Sequence, residues 1–372
     1  MRKSSTKILL VLPSHKFDIF IEGLVRHSSA NFTFSAILFD KPSSEVLVPS
    51  SKSYSKIYSL GKLTTQSFLM NVYRCRRIIK SHKPEIIHVT SYLSGLTIAC
   101  SLFMFPKKPK LLWNRHYNKG HHNLSNRIHV VLDRLLTNIA DKTVVISHAQ
   151  LETLVYAERC KRSKLSIVNN GIDIDLLKHS DEGRQYFRNL FRQTPDEIIL
   201  LSVGRLHPEK DFPTLFKALQ KFQEMGFTFN LYIAGDGEAE YKSYLEDCIS
   251  AMGLQSKVIF LGWVEEIHSA MLECDILVQS SIDEAFGLSI LEALALQVPV
   301  ATTTPGGVIE IVSGFHTFVA PGDFSQLANV LAEKLTSSTD DLLFIMSTIK
   351  KKFSISRMAA EYNDVYTELL KK

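Results

Sequence analysis

The chain has 372 residues, 45% of them hydrophobic, which is long for one core and suits two domains of ordinary size. Its formal charge of +5 conceals an imbalance: residues 1–180 hold 27 Lys and Arg against 11 Asp and Glu (+16), and residues 181–372 hold 16 against 27 (−11). Five scattered cysteines, Cys75, Cys100, Cys160, Cys248 and Cys274, form no C-x-x-C pair, which argues against a disulfide framework or a zinc site and fits a reducing cytoplasm.

The first residues lead into an apolar run at 8–13 that is too short for a signal sequence and reads as a strand, so no export is expected. Residues 7–12 predict that strand and 18–27 a short helix after it. Residues 32–39 alternate as a second strand, 60–81 contain a helix, and 84–89 form another buried strand. The apolar stretch 93–105 carries Ser94, Gly95, Thr97 and Ser101 and falls short of the ~20 residues of a membrane span. It is expected to be a buried helix, followed by a strand at 110–113.

A polar, histidine-rich loop covers 114–126, then come a helix at 127–140, a strand at 143–146, a helix from His148 and a closing segment at 166–173. The charged segment 176–196 reads as a partly helical link. Strands are expected again at 198–203, 229–234, 258–261, 276–279, 298–302 and 317–319, with helices between them. Strands alternating with helices mean parallel sheets covered on both faces, an α/β fold whose ligands sit at the carboxyl ends of the strands. The predicted domains are 1–180 and 181–355, with a terminal helix at 356–372.

One stretch organises the second half. Residues 274–279 read as a buried strand, Gly287 opens a helix at 288–296, and Val298-Pro299 stops it. The first turn of a helix has amides without intrahelical partners and carries partial positive charge, so it suits a phosphate. Glu284 and Glu292 flank this turn, and a carboxylate on each side accepts hydrogen bonds from hydroxyls of a phosphate-centred ligand such as a nucleotide sugar. The plain alternative is an exposed turn residue and a solvated helix residue. For Glu292 it is weakened by Leu291, Ala293, Leu294 and Ala295, which make the helix apolar nearly all round.

A helix N-terminus adds only about 0.3 to 1 kcal/mol to anion binding, whereas micromolar affinity needs about 8 kcal/mol. Charged hydrogen bonds at about 1.5 to 3 kcal/mol each must supply much of the rest. Arg205, after Gly204 at a strand end, and Lys210 five residues on are the two cations expected to do so. Their plain alternative is surface pairing with Glu209 and Asp211.

These segments, with Leu231-Tyr232-Ile233-Ala234-Gly235-Asp236-Gly237, resemble the Glu-x7-Glu motif and phosphate-gripping segments of retaining glycosyltransferases of family 4. The resemblance implies the GT-B fold, two tandem Rossmann-like doubly wound parallel-sheet domains facing an interdomain cleft, with the last helix crossing back to the first domain. It implies Arg205 and Lys210 on the donor phosphates, Glu292 on ribose hydroxyls and Glu284 near the transferred sugar. It also implies backbone contacts from Phe286, Gly287 and Leu288. Gly235 and Gly237 would flank a turn beside the nucleotide, and Gly262-Trp263-Val264 would lie along the base, with the Trp263 ring expected in the core. His116, in Trp113-Asn114-Arg115-His116-Tyr117, resembles the histidine that faces the sugar, with His121 and His122 as rivals; His88 is expected buried at a strand end.

Asp173-Ile174-Asp175 matches the D-x-D of metal-dependent transferases, but its surroundings resemble an interdomain feature of family 4, and either carboxylate suits a helix cap. No metal or other cofactor is expected. The sequence departs from the family after the first strand, where Pro13-Ser14-His15-Lys16-Phe17-Asp18 replaces a glycine-rich loop; His15 and Lys16 become acceptor-side candidates. Asp211 stands where a glycine often follows the phosphate lysine.

The expectation is a metal-independent, retaining hexosyltransferase acting from a UDP- or GDP-sugar onto a glycan or lipid-linked acceptor, in polysaccharide or glycolipid biosynthesis. Arg74, Arg76, Arg77, Lys80 and Lys83 around one helix suit an anionic membrane surface, and lack the interleaved aromatics of a single-strand nucleic-acid binder. The expected location is the cytoplasm, peripheral on the inner face of its membrane. A dehydrogenase would require G-x-G-x-x-G, which Gly235-Asp236-Gly237 does not complete. A nucleotide-sugar epimerase and a non-catalytic partner subunit remain as alternatives.

Overall fold

The computed structural model describes residues 5–13, 19–39, 54–64, 66–116, 126–192, 197–336 and 338–371; His15, Lys16, His121 and His122 lie outside them. The described chain forms two compact units, residues 1–171 with 353–372, and residues 172–352.

The first unit holds β1 (Thr6–Leu12), β2 (Phe32–Phe39), β3 (Tyr54–Leu60), β4 (Ile86–Val89), β5 (Lys110–Arg115), β6 (Lys142–Val145) and β7 (Leu165–Ile167). They pair in parallel in the order β3-β2-β1-β4-β5-β6-β7. Parallel strands connect through crossovers that cover both sheet faces, so central strands are apolar throughout. Ile8 to Val11 of β1 are fully buried, as is every residue of β4. Helices α1 (Ile19–His27), α2 (Phe68–His82), α3 (Tyr92–Ser101), α4 (Asn126–Ile139) and α5 (His148–Glu152) supply crossovers. Ser91 and Ser147 cap α3 and α5, each accepting a backbone N–H from the helix's first turn.

The second unit begins with α6 (Asp181–Phe191), capped by Ser180, inside the segment read as a link. Its sheet contains β8 (Ile198–Val203), β9 (Phe229–Ala234), β10 (Val258–Gly262), β11 (Ile276–Gln279) and β12 (Val300–Thr302), parallel in the order β10-β9-β8-β11-β12. Between and after them lie α7 (Phe212–Glu224), α8 (Ala239–Ala251), α9 (Ile267–Glu273), α10 (Leu288–Ala295), α11 (Val308–Val312), α12 (Phe324–Lys334) and α13 (Thr339–Lys352). Phe212, Phe216, Phe222 and Phe229 fill the core where α7 meets the sheet. The final helix, α14 (Ile355–Lys371), belongs to the first unit and packs against α1.

Three expectations change. The strand β3 was not expected: its Tyr-Ser-Lys-Ile-Tyr-Ser-Leu sequence sits at the sheet edge, half exposed, and so lacks an apolar run. Residues 317–319 form no strand; instead the Val319 carbonyl accepts from both the Thr304 N–H and the Thr304 hydroxyl, at 2.9 Å each. Finally, β12 starts at Val300 because the Val298 N–H is committed to the Ala293 carbonyl at the end of α10.

Candidate active site

In the second sheet the strand order reverses at β8, with β9 on one side and β11 on the other. Carboxyl ends of strands at such a point leave a crevice, because the loops on either side turn away to opposite faces. The loops after β8, β9 and β10 are tied edge to edge. Gly204 N–H donates to Ala234 O at 2.9 Å, Leu206 N–H to Asp236 O at 2.9 Å, and Gly235 N–H to Gly262 O at 2.8 Å. Gly235 has φ +145°, and a Cβ there would run into the Gly204 carbonyl oxygen. Only glycine permits so close an approach. Gly237 meets the backbone of Leu206 in the same way.

These loops enclose a pocket of about 360 Å³, lined by Gly204, Arg205, Gly235, Trp263, Val264 and Ile267 among others. Trp263 is not a core residue. It is 75% exposed at the pocket wall, because β10 ends at Gly262 with φ +68° and turns the next side chain outward.

Lys210 closes a short turn that starts at His207, whose imidazole Nδ1 accepts from the Glu209 N–H at 3.4 Å. Its stem lies against Gly204, with Cε 3.0 Å from the place a Cβ would occupy. Its ammonium donates to Glu284 Oε2 at 2.5 Å, with both side chains about one-fifth exposed. Ser280 Oγ donates to the Lys210 carbonyl at 2.8 Å, and Ile282 N–H to the Glu209 carbonyl at 2.8 Å, so the loops after β8 and β11 are joined by backbone as well. Glu284, in turn, has its Cγ 3.7 Å from where a Cβ on Gly287 would stand. Gly204, Lys210, Glu284 and Gly287 therefore form one contiguous edge.

Gly287 has φ +101° and ψ +58° at the start of α10, a left-handed conformation that glycine adopts without strain. Phe286 is 2% exposed, so its ring anchors the loop in the core and only its backbone is available to a ligand. Leu288 is half-buried at the helix start. The first-turn amides of α10 have no intrahelical acceptor. Glu292, one turn further, places Oε2 3.6 Å from Nε2 of His268 on α9. Sequence reading missed His268, since a single histidine on a buried helix face gives no signal until its neighbour is known.

In the first unit, His116 follows β5. Asn114 Nδ2 donates to His116 Nε2 at 2.9 Å and to the Tyr362 hydroxyl at 2.6 Å, so α14 helps fix the end of β5. His88 is buried at the end of β4 as expected, with Nδ1 and the Tyr366 hydroxyl 2.8 Å apart. Burial, with the neighbouring His116, pushes its pKa down to about 3. The Asp173 carboxylate accepts from the Asp175 N–H at 3.2 Å and caps a single helical turn.

Around α2 the cations are not all free charges. Arg76 donates to the Ser101 and Phe103 carbonyls at 2.9 and 2.7 Å, and Arg77 lies 5.9 Å from the centre of the Tyr73 ring. Leu69, Met70 and Tyr73 are exposed beside them. Among the described residues no helix is long and apolar enough to cross a membrane.

Two family models match the chain: Glycosyltransferase Family 4 over residues 49–176 and Glycosyl transferases group 1 over residues 185–347. Among curated proteins, the chain is 32% identical over 195 residues to the Uncharacterized glycosyltransferase MJ1607 of Methanocaldococcus jannaschii, covering 50% of this chain and 48% of that one. It is 24% identical over 303 residues to the phosphatidylinositol N-acetylglucosaminyltransferase GPI3 subunit of Saccharomyces cerevisiae, covering 79% of this chain. The match spans 65% of that relative's length, so both relatives extend well beyond the aligned part. Among solved structures, Anabaena HepE in complex with UDP-glucose superposes with TM-score 0.79 at 20% identity, over 97% of this chain and 99% of that one. Sucrose-phosphate synthase of Thermosynechococcus elongatus gives 0.78 at 17% identity, over 98% and 99%. With each sheet unit matched by its own glycosyltransferase model and the whole fold shared with GT-B structures, the chain belongs to the family 4 type of glycosyltransferases with the GT-B fold.

Proposed function

We propose that the protein moves a sugar, with retention and without a metal, from a nucleotide-diphosphate sugar to an acceptor hydroxyl. One observation carries the reading: Lys210 runs from Gly204 to Glu284 at the β8 switch point, next to the Gly287 helix start. A cation, a close backbone approach and a helix N-terminus then meet where a diphosphate needs all three.

In this reading the diphosphate takes the ammonium of Lys210 and the guanidinium of Arg205, which stabilise the charge that builds on it as the sugar departs. Leu288 and Gly287 amides add to this. Glu284 serves the transferred sugar and Glu292 the ribose hydroxyls. The base occupies the pocket lined by Gly235 and Val264, on the loop that Gly237 continues, where the exposed Trp263 ring offers a stacking face. His116 is proposed for the transferred sugar, and His15 and Lys16 for the acceptor. The donor is proposed to be a UDP- or GDP-sugar; HepE, of the same fold, is described in complex with UDP-glucose, which supports a nucleotide sugar.

The acceptor is proposed to be a glycan or lipid-linked hydroxyl at an anionic membrane surface, met through α2. Exposed Leu69 and Met70 beside Arg74 and Lys80 support it, since apolar insertion and cation attraction add together at a lipid surface. Co-sedimentation with anionic but not zwitterionic vesicles, weakened by salt, is the expected result.

The donor assignment is tested by melting the protein with a panel of nucleotide sugars, since a bound donor raises the midpoint as RT ln(1 + [L]/Kd). Transfer from the stabilising donor should survive EDTA. Lys210→Ala and Glu292→Ala should each abolish it in a protein that still folds; unaltered turnover in either refutes the assignment.

A further inference from the structure

The ring of His268 is 9% exposed, on the inner face of α9. Its Nδ1 lies 3.3 Å from the Lys178 carbonyl oxygen, which can only accept, so Nδ1 carries a proton. The other nitrogen, Nε2, is shielded from solvent, makes no hydrogen bond, and faces Glu292 Oε2 at 3.6 Å.

The ring's position is not left to chance. Ser180, two residues after Lys178, donates from Oγ to Glu266 Oε2 at 2.7 Å, and its N–H donates to Ser269 Oγ at 3.2 Å. Ser269 Oγ donates to the same Glu266 oxygen at 3.1 Å. Gly183 completes the clamp, because a Cβ there would collide with Glu266 and Ser269. The strand of chain that holds Nδ1 is thereby pinned to the helix that bears the ring. Glu273, on the next turn of α9, is held by Arg184 and Arg188 of α6, so the remaining carboxylate of that helix is already committed. What the clamp presents to Glu292 is a fixed ring nitrogen.

We propose that His268 is a positioning residue for Glu292: the clamped ring, whose Nε2 faces Oε2 from 3.6 Å, confines the carboxylate to the place where it meets the ribose hydroxyls. A carboxylate on a flexible side chain must otherwise be ordered when the ligand binds, at a cost in affinity. The nitrogen itself is shielded, so it acts through Glu292 and not on the ligand. This rests on the reading of Glu292 as a ribose ligand, and the test separates the two.

Binding of UDP and GDP, and of their 2′,3′-dideoxy forms, is measured calorimetrically on the full chain, with melting curves to show that each variant folds. His268→Leu should weaken the better nucleotide about tenfold, the loss of one contact that orders the carboxylate, and should leave its dideoxy form unaffected. His268→Gln, whose side-chain amide can donate toward Glu292, should restore most of the loss. Equal weakening of ribose and dideoxy forms would mean a merely structural role and overturn the proposal, as would unchanged binding by His268→Leu. If Glu292→Gln binds both forms as the native protein does, or if neither UDP nor GDP binds, the ribose reading fails first and takes this one with it.

Discussion

Lys210 Nζ donates to Glu284 Oε2 at 2.5 Å, across 74 residues of sequence and between the loops that follow β8 and β11. A diphosphate arriving at Lys210 must compete with that carboxylate. Glu284→Gln should therefore bind UDP or GDP more tightly, by about three- to tenfold, since a partly exposed pair is worth about 1 kcal/mol. The same change should lower kcat by about a hundredfold or more if Glu284 serves the sugar. Titration calorimetry and steady-state rates on one variant check both; parallel losses in binding and rate would contradict the competition.

Gly235→Ala places a Cβ against the Gly204 carbonyl at φ +145°. The loops after β8 and β9 must separate to admit it. We expect a loss of about 2 kcal/mol or more in stability, read from the urea midpoint. Nucleotide binding should weaken too, because the displaced backbone carries Gly204 and Arg205.

Asp211 takes the opposite case: a residue with a Cβ held at φ +46° and ψ +49° immediately after Lys210. Its side chain makes no capping hydrogen bond there. Asp211→Gly relieves the left-handed strain but loosens the unfolded chain, and the two effects, each about 1 kcal/mol, nearly cancel. Asp211→Val has no such offset and should cost about 1 to 2 kcal/mol. Urea midpoints of the two variants decide between strain and tolerance.

His88 sets an acid limit. Burial lowers its pKa to about 3 in the folded state, below the unfolded value of about 6.5. Below pH 6.5 the unfolded chain takes up a proton that the folded chain refuses, so stability is full above 6.5 and falls as pH drops from there toward 3. The slope is up to about 1.4 kcal/mol per pH unit. His316 adds to it: burial, with Lys334 nearby, lowers its pKa to about 4. His88→Asn should flatten the dependence of the urea midpoint on pH between 6.5 and 4.

Most strands were legible because parallel sheets bury both faces, and a run such as Ile198 to Val203 has no other stable home. Gly204, Gly235 and Gly287 were legible for the reason that they matter: the first two follow strand ends where another loop packs close, and the third opens a helix in a left-handed conformation. What escaped depends on distant partners. Nothing local says that Lys210 reaches Glu284, that Trp263 faces outward, or that His268 meets Glu292. The edge strand β3 and the coil at 317–319 were misjudged because local apolarity reports burial, whereas pairing depends on which neighbour is present.

The last helix carries a consequence for how the polypeptide matures. Tyr362 and Tyr366 supply the hydroxyls that meet Asn114 and His88, yet 181 residues of another unit are translated in between. During synthesis the seven-stranded half must wait, with those polar groups uncovered, while the five-stranded half already has its whole sequence. A chain released after residue 352 should therefore yield a protease-resistant second half beside a still-sensitive first.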